Sequence, residues 1–291
     1  MRVGIFYFTG TGNTEFIVRE LQAAFGPENP TELFNIELPA ESGISTQRHK
    51  EHKGIPAALF ERFDLLVFGA PVYGFAIPEP FERFLRRLPS LRGRKAFLFL
   101  TMGGGALAAL HHPLSQLRRR GFDVIRATLF QMPSNVFLTG RNDAGYVYQL
   151  LWYTETQDPV RMLGLCRAHV REEVAAIVVG KRKLPSSTML ARFASRLGRV
   201  AVLSSGWQMK LVQHAGRQCN RCAICVRSCP QENIRLSTKS VRFGWRCAMC
   251  YRCINICPKH AIRLRFPANI FDNRAQYVCP GWKPPSHESR E

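Results

Sequence analysis

Eight of the ten cysteines in this chain fall in two short runs of one spacing, and these runs constrain its chemistry more than any other feature. Each run has the form C-x2-C-x2-C-x3-C-P. The first contains Cys219, Cys222, Cys225, Cys229 and Pro230, and the second contains Cys247, Cys250, Cys253, Cys257 and Pro258. Three thiolates at intervals of three residues can converge from one tight loop on a [4Fe-4S] cluster, while the fourth, followed by proline, reaches a neighbouring cluster. The spacing therefore predicts two iron–sulfur clusters.

Zinc and disulfides explain the two runs less well. A structural zinc site takes two C-x2-C pairs separated by a longer span, and three evenly spaced cysteines followed by Cys-Pro do not divide in that way. Disulfide-rich secreted chains contain roughly 8 to 10% cysteine, whereas this chain has 10 cysteines in 291 residues. Outside the runs, Cys166 is predicted to pack on the apolar face of a helix. Cys279 precedes a proline, but both predicted clusters are already complete without it.

The net charge of +20 is concentrated in the C-terminal half of the chain. Residues 1–158 carry net +2, whereas residues 159–216 carry +8 and residues 217–266 carry +10. An oxidised [4Fe-4S] centre with four thiolates contributes about −2, so two of them would leave the cysteine region clearly basic. A surface of this kind attracts acidic partners. No nucleic-acid-binding module accompanies the charge, so no specific nucleic acid is expected.

The N-terminal residues and the hydropathy of the chain indicate the cellular compartment of the protein. Residues 1–8 are typical of a buried strand and not of a secretory leader. No stretch approaches the ~18 apolar residues of a membrane-spanning helix. Metal-bound thiolates also suit a reducing compartment. The sequence therefore predicts a cytoplasmic protein without a transmembrane segment.

The first 158 residues alternate short apolar runs with amphipathic stretches, which predicts a parallel sheet covered by helices on both faces. The predicted strands are Arg2–Phe8, Glu32–Ile36, Asp64–Ala70, Lys95–Thr101 and Phe122–Phe130. Apolar residues three and four apart predict two helices between them, with Phe81, Phe84, Leu85 and Leu88 in one and Leu107, Leu110, Leu114 and Leu117 in the other. Five strands with intervening helices favour an α/β, flavodoxin-like, doubly wound parallel sheet of strand order 2-1-3-4-5. The polar stretch 40–54 is predicted to be loop.

A further helix is predicted over Pro159–Val179, because its apolar residues recur on one face that would pack against the sheet. They are Leu163, Cys166, Val170, Val174 and Ile177. Residues 1–180 would then form the first domain. Residues 181–216 are predicted to be a basic helical linker, with Leu190, Phe193, Leu197 and Val200 on one face. A helix lying on a membrane surface is the alternative for this segment, since Arg192, Arg196 and Arg199 accompany the apolar face.

A polar loop with two glycines separates the first predicted strand from a predicted helix. It consists of Thr9, Gly10, Thr11, Gly12, Asn13 and Thr14. Hydroxyls can donate to an anion, glycines let the backbone wrap closely, and the helix N-terminus adds a favourable dipole, so this loop can hold a phosphate without a lysine. It lacks the Gly-Lys-Ser/Thr of a Walker loop, and Glu15 replaces the third glycine of a dinucleotide fingerprint.

The loop at residues 9–14 resembles the FMN-phosphate loop of flavodoxins, in the position where that family carries it. The resemblance covers about the first 180 residues. It implies that FMN binds at the carboxyl ends of the strands with its ring between two later loops. These loops are Pro71, Val72, Tyr73, Gly74 and Phe75 after the third strand, and Met102, Gly103, Gly104 and Gly105 after the fourth. Tyr73 or Phe75 could stack on the flavin, with packing inside the loop as the alternative.

The glycines after the fourth strand also match a nicotinamide fingerprint, as Gly103-x-Gly105-x-x-Ala108 with Asp123 further on. We reject this interpretation, because the acid that binds a ribose follows the far end of the next strand, whereas Asp123 stands at the beginning of a predicted strand. Close approach of the backbone to a flavin explains the glycines better.

Residues 217–266 resemble the bacterial two-cluster ferredoxin, an α+β domain, and both cysteine runs match it residue for residue. The resemblance implies crossed ligation. One cluster would be bound by Cys219, Cys222, Cys225 and Cys257, and the other by Cys247, Cys250, Cys253 and Cys229. The two halves form an internal repeat, each ending in Cys-Pro and then an isoleucine. Cluster binding should supply much of the folding free energy of so small a domain.

A flavodoxin-like domain followed by a two-cluster ferredoxin domain resembles the bacterial and archaeal flavodoxin–ferredoxin fusion proteins, or EFR-type ferredoxins. Residues 267–291 are predicted to be a C-terminal tail. The resemblance implies a redox protein in which FMN exchanges electrons with two [4Fe-4S] clusters. The basic surface around the clusters would attract an acidic redox partner, such as a ferredoxin, a flavodoxin or a reductase. Two alternatives stay open: a flavin-dependent reductase of a small organic acceptor, and a protein that docks on nucleic acid or a membrane surface.

Overall fold

The computed structural model describes residues 1–37, 55–73, 76–103, 107–135, 158–186, 213–264 and 276–285. Within these ranges the chain forms a five-stranded sheet with flanking helices, followed by a cysteine-rich unit with two small two-stranded sheets. The predicted loop at 40–54 lies outside the described residues.

All five strands of the large sheet are parallel, and their order is β2-β1-β3-β4-β5. The strands are β1 (Val3–Tyr7), β2 (Thr31–Asn35), β3 (Leu65–Pro71), β4 (Lys95–Met102) and β5 (Asp123–Gln131). The predicted flavodoxin-like order is therefore confirmed. The inner strands β1, β3 and β4 are almost wholly apolar because helices cover both faces of the sheet, whereas the edge strands β2 and β5 also carry polar residues.

Helices pack against both faces. They are α1 (Asn13–Phe25), α2 (Ala58–Glu61), α3 (Glu79–Arg87), a 3-10 turn (Leu107–Leu110), α4 (His111–Arg119) and α5 (Pro159–Val178). One face carries a phenylalanine-rich core, in which Phe6 stacks on Phe34 with ring centroids 4.6 Å apart. The predicted apolar faces of α3 and α4 are buried in this core, as Phe81, Phe84 and Leu114 illustrate.

Helix α5 covers the other face, beside α1. Its N-terminus is capped by Asp158, whose carboxylate accepts from the backbone N–H of Val160 at 2.9 Å, and a proline at the first helical position reinforces this start. The predicted apolar face is confirmed, since all five of its residues are buried. Cys166 is one of them and packs in the core, as expected from the sequence.

The chain beyond α5 returns to the edge of the sheet. Lys183 forms a parallel bridge with Arg126 on β5, and Arg182 donates to Asp123 at 3.0 Å. The sheet domain thus extends to Lys183, past the boundary predicted after residue 180. Asp123 begins β5 and is engaged by Arg182, which confirms the reason for rejecting it as a ribose ligand.

The cysteine-rich unit is an α+β domain, as expected. Strands β6 (Gln213–Ala215) and β9 (Ile262–Leu264) pair antiparallel, as do β7 (Ile234–Leu236) and β8 (Val241–Phe243). There are two single-turn helices, α6 (Ile224–Arg227) and α7 (Arg252–Asn255). Each contains the third cysteine of its run. In the described part of this unit, the apolar core cluster contains five buried residues, namely Ile234, Val241, Tyr251, Ile254 and Ile262.

The amphipathic stretch predicted near residues 190–200 lies outside the described residues, so the linker helix and the membrane-surface alternative both stay predictions. Among the helices that the structure does describe, none is long and apolar enough to cross a membrane.

Candidate functional site

The eight cysteines of the two runs surround two separate cavities. One cavity is lined by Cys219, Cys222, Cys225 and Cys257, and the other by Cys229, Cys247, Cys250 and Cys253. We call them the outer and the inner cysteine cavity. In each, three thiols come from one run and the fourth comes from the other run. This grouping is the one that the ferredoxin resemblance implies.

The backbone of the two runs repeats with a shift of 28 positions, from Cys219 to Cys247. Non-glycine residues with positive φ recur at that interval. The pairs are Arg221 and Met249, Ala223 and Tyr251, and Glu232 and His260, with φ between 48° and 61°. A left-handed residue costs roughly 1–3 kcal/mol outside glycine. Six of them therefore indicate a backbone that turns inward so that the thiols converge, with a bound group to offset the strain.

The two cavities differ in exposure. Cys222 of the outer cavity is exposed, whereas Cys250 of the inner cavity is buried against the sheet domain. Burial raises the pKa of both the Cys225 and the Cys250 thiol to about 12 in the metal-free chain. Because a metal binds the thiolate, assembly of a metal centre here must release protons.

The predicted phosphate loop joins β1 to α1 and is buried except at Asn13, which is partly exposed. Gly12 has a φ of 98°, a left-handed value that turns the chain into the helix. The Thr9 hydroxyl accepts from the backbone N–H of Gly12 at 3.1 Å, and the Thr14 hydroxyl bonds that of Thr101 on β4 at 2.8 Å. The first-turn amides of α1 have no intrahelical acceptor because of their position.

The carbonyl side of this loop is held by other parts of the chain. Arg252 donates to the carbonyl oxygens of Thr9 and Gly10, at 2.5 and 2.8 Å, and the Cys279 backbone N–H donates to that of Thr11 at 2.8 Å. A trans peptide is planar, so its N–H points opposite to its C=O. The amides of Gly10 and Thr11 therefore face away from Arg252, whereas the N–H of Gly12 donates to the Thr9 hydroxyl. Two oriented amides beside threonine hydroxyls and a helix N-terminus fit a phosphate group.

The later predicted flavin loops begin beside the phosphate loop. Pro71 ends β3, Val72 donates to the Thr101 carbonyl, and the Tyr73 hydroxyl lies against Gly10 on the side of Cys250. Met102 ends β4 and Gly103 lies against Ser134. The remaining predicted contacts, namely Gly74, Phe75, Gly104 and Gly105, lie outside the described residues.

The inner cysteine cavity adjoins the phosphate loop directly. A Cβ atom added to Gly10 would lie 3.1 Å from the Cys250 carbonyl oxygen. That same oxygen accepts from Asn135, which follows β5, at 3.0 Å. Asn255 in turn donates to the Asn135 carbonyl at 2.9 Å, so the end of β5 and helix α7 are bonded in both directions.

The segment 276–285 closes the same boundary. Gln276 donates to the carbonyls of Ile254 and Cys257, and the Tyr277 hydroxyl donates to the Asn13 side chain at 2.9 Å. Trp282 lies so close to Gly12 that an added Cβ would be 2.5 Å from it. Cys279 is buried here, against the phosphate loop and away from both cysteine cavities. The segment thus binds both domains together.

The sequence did not indicate several side chains of this boundary, among them Arg252, Asn135, Asn255 and Tyr277. One signal was available for Arg252. The internal repeat aligns it with Ile224, so a charged residue stands where the first copy has an apolar one.

Comparison with known proteins supports the reading of the C-terminal part. Residues 211–258 match the family model of the 4Fe-4S dicluster domain. No protein in a search of curated sequences matches the chain.

Several solved structures resemble the N-terminal part. A flavodoxin from the domain Archaea shares 11% identity, with 60% of this chain and 99% of that chain covered and a TM-score of 0.35. Flavodoxin 1 from Bacillus cereus shares 16% identity over 60% and 98% of the two chains, with a TM-score of 0.36. An NAD(P)H:quinone oxidoreductase from Methanothermobacter marburgensis shares 11% over 61% and 96%, with a TM-score of 0.41. Scores this low support no further argument.

The fold therefore follows from the strand order itself, and the chemistry of the C-terminal part from its cysteines and its family match. The chain joins a parallel sheet of flavodoxin-like order to a 4Fe-4S dicluster-type iron–sulfur domain.

Proposed function

We propose that this protein is an electron carrier in which FMN and two [4Fe-4S] clusters exchange electrons with each other and with an external redox partner. The observation that carries the proposal is the contact between the inner cysteine cavity and the phosphate loop. Cys250 meets Gly10 and Asn135 there, so a cluster and a flavin would be neighbours across the boundary.

Separate groups of residues would bind the flavin and the two clusters. The hydroxyls and amides of residues 9–14 hold the FMN phosphate, and the loops that begin at Pro71 and Met102 border the ring. The inner cavity provides Cys229, Cys247, Cys250 and Cys253 for one cluster, and the outer cavity provides Cys219, Cys222, Cys225 and Cys257 for the other. Bound FMN would supply the conversion between one- and two-electron transfers, which iron–sulfur clusters alone do not make.

The difference in exposure supports an order for the relay. The inner cluster would exchange with the flavin, and the outer cluster, beside the exposed Cys222, would exchange with the partner. Among the described residues of the iron–sulfur domain, nine basic side chains are exposed, namely Arg217, Arg221, Arg227, Arg235, Lys239, Arg242, Arg246, Lys259 and Arg263. They favour an acidic redox protein as that partner. A reducing cytoplasm would suit such a protein.

Anaerobic reconstitution followed by analysis of iron, sulfide and flavin tests the proposal. We expect about eight iron atoms and one FMN per chain. Stopped-flow reduction of the loaded protein, followed at the flavin and cluster absorption bands, should show electrons passing between the two groups within one chain. Four iron atoms per chain would contradict the two-cluster part. A loaded protein that binds no flavin would contradict the FMN part.

A further inference from the structure

Arg252 departs from the internal repeat in a way that the cluster ligands do not require. The corresponding residue of the first run is Ile224, which is partly exposed, whereas Arg252 is completely buried. Both lie at the first position of a single-turn helix between two cysteines of a run. The repeated backbone thus carries a buried cation in one copy only, the copy that faces the sheet domain.

Each hydrogen bond described for this guanidinium ends on an oxygen atom, and the central carbon of the group lies 5.6 Å from the centroid of the Trp282 ring. Its Nη1 and Nη2 donate to the Glu37 carboxylate, at 3.1 and 2.6 Å, and Nη1 also donates to the Ser228 carbonyl at 2.8 Å. Its remaining bonds go to the Thr9 and Gly10 carbonyls of the phosphate loop. A buried charge needs this degree of compensation. The fork of Arg252 therefore joins a cysteine run, the end of β2 and the phosphate loop.

The loop contacts have a directional consequence. With the Thr9 and Gly10 carbonyls fixed on Arg252, the N–H groups of Gly10 and Thr11 point to the opposite side of the loop. The N–H of Gly12 is already used within the loop, since it donates to the Thr9 hydroxyl. An anion on that side would meet amides that are already oriented, so less conformational entropy is lost when it binds.

We propose that Arg252 is a positioning residue for the FMN phosphate and that, through it, flavin affinity depends on the inner iron–sulfur cluster. This inference rests on the proposed function. Arg252 lies between Cys250 and Cys253, so assembly of the inner cluster orders the turn that holds its side chain. Coupling of binding free energies is reciprocal, so FMN should also favour retention of the inner cluster.

The test compares FMN with riboflavin, which has the same ring and no phosphate. Each flavin is titrated into the anaerobically loaded full chain, and the Kd is measured by fluorescence quenching. The variants are Arg252→Met, the double variant Arg252→Met/Glu37→Gln, which leaves no buried charge without its partner, and Arg242→Met as a control. Arg242 is exposed on β8, and its replacement makes the same change of charge.

We expect the wild-type protein to prefer FMN, and both Arg252 variants to reduce that preference about tenfold, within the usual range of couplings between sites. Riboflavin affinity should stay unchanged, and Arg242→Met should behave as wild type. Arg252→Lys should restore little, because lysine keeps the charge without the planar fork. The iron-free wild-type chain should also lose most of its preference for FMN.

Iron content is measured in the same samples. A double variant with full iron content and an unchanged preference for FMN would overturn the role of Arg252 and leave the proposed function standing. A wild-type chain that binds neither flavin would overturn the FMN part of the proposed function, and this inference with it.

Discussion

Arg252 and Glu37 form a buried ion pair across the boundary between the two domains, with their closest atoms 2.6 Å apart. Arg252 belongs to the second cysteine run and Glu37 follows β2 at the edge of the sheet. Their side chains are almost completely enclosed, at 1% and 4% exposure. Coulombic attraction to Glu37 opposes the cost of burial and raises the pKa of Arg252, so the guanidinium stays charged. The domains therefore share one electrostatic centre.

Removing one member of this pair should destabilise the protein more than removing both. Glu37→Gln leaves a buried cation without its counter-charge, for which we expect a loss of about 3–5 kcal/mol. The double variant Arg252→Met/Glu37→Gln should lose clearly less. Urea denaturation of the loaded protein, followed by tryptophan fluorescence, measures both. Equal losses in the single and double variants would contradict a coupled pair.

A second buried carboxylate should make the sheet domain sensitive to acid. Burial alone would raise the pKa of Glu173, but hydrogen bonds from His169 and Arg126 lower it from 4.5 to about 2. The unfolded chain takes up this proton at a higher pH than the folded one, so the stabilisation is complete above about pH 4.5 and disappears as the pH falls towards 2. Urea midpoints measured from pH 7 down to pH 3 should decrease below about pH 4.5.

The variant Glu173→Gln tests whether Glu173 causes this loss of stability at acidic pH. The variant should be less stable at pH 7, because Arg126 loses its buried partner, and its urea midpoint should change less with pH. The matched control is Glu32→Gln, since Glu32 pairs with Arg62 at the surface, where a salt bridge contributes little. A control variant with the same acid response as Glu173→Gln would show that the effect is general.

Gly10 should not accept a side chain while Tyr73 keeps its hydroxyl. A Cβ at Gly10 would lie 1.9 Å from the Tyr73 hydroxyl oxygen, so Gly10→Ala should cost about 1–3 kcal/mol through overpacking. Adding Tyr73→Phe removes the closest atom and should recover part of that loss. Thermal unfolding of the two single variants and the double variant measures the coupling.

The control for this series is Gly164→Ala. Gly164 lies within α5 with no atom within 4 Å of an added Cβ, so alanine should raise stability by up to about 1 kcal/mol through helix propensity. If the effects of Gly10→Ala and Tyr73→Phe were simply additive, the two residues would not be in contact as described.

Crossed ligation predicts which cysteines act together. Cys225→Ser and Cys257→Ser come from different runs, yet both change the outer cavity, so their cluster spectra should be disturbed in the same way. Cys253→Ser changes the inner cavity and should give a different spectrum. Electron paramagnetic resonance of the reduced variants distinguishes the two patterns. A match between Cys257→Ser and Cys253→Ser would indicate that each run binds its own cluster.

The sequence predicted the sheet well because its signals are local. The inner parallel strands are nearly continuous apolar runs, and every predicted strand end lies within one residue of the observed end. Helix α5 was equally clear, since five apolar residues recur at helical spacing. The resemblance to two-cluster ferredoxins likewise implied the grouping of thiols around the two cavities.

The boundary between the domains was not predicted, because its contacts join residues that are far apart in the chain. Arg252 appeared in the sequence as one of many basic residues, and only its burial distinguishes it from the exposed ones. Tyr277 and Trp282 belong to a tail that has no helical or strand periodicity. The positions of such residues depend on the surface that they contact in the folded protein. A local sequence pattern contains no information about that surface.

The alignment of Ile224 with Arg252 also bears on how such a module could be rebuilt. A chain with the two cysteine runs exchanged would keep every ligand spacing and the same total charge. It would, however, put an isoleucine opposite Glu37 and the loop carbonyls, and expose the arginine at the outer cavity. The pseudosymmetric iron–sulfur domain could then still assemble. It would, however, no longer present a buried arginine to the sheet domain, which is the side chain that distinguishes its inner end from its outer end.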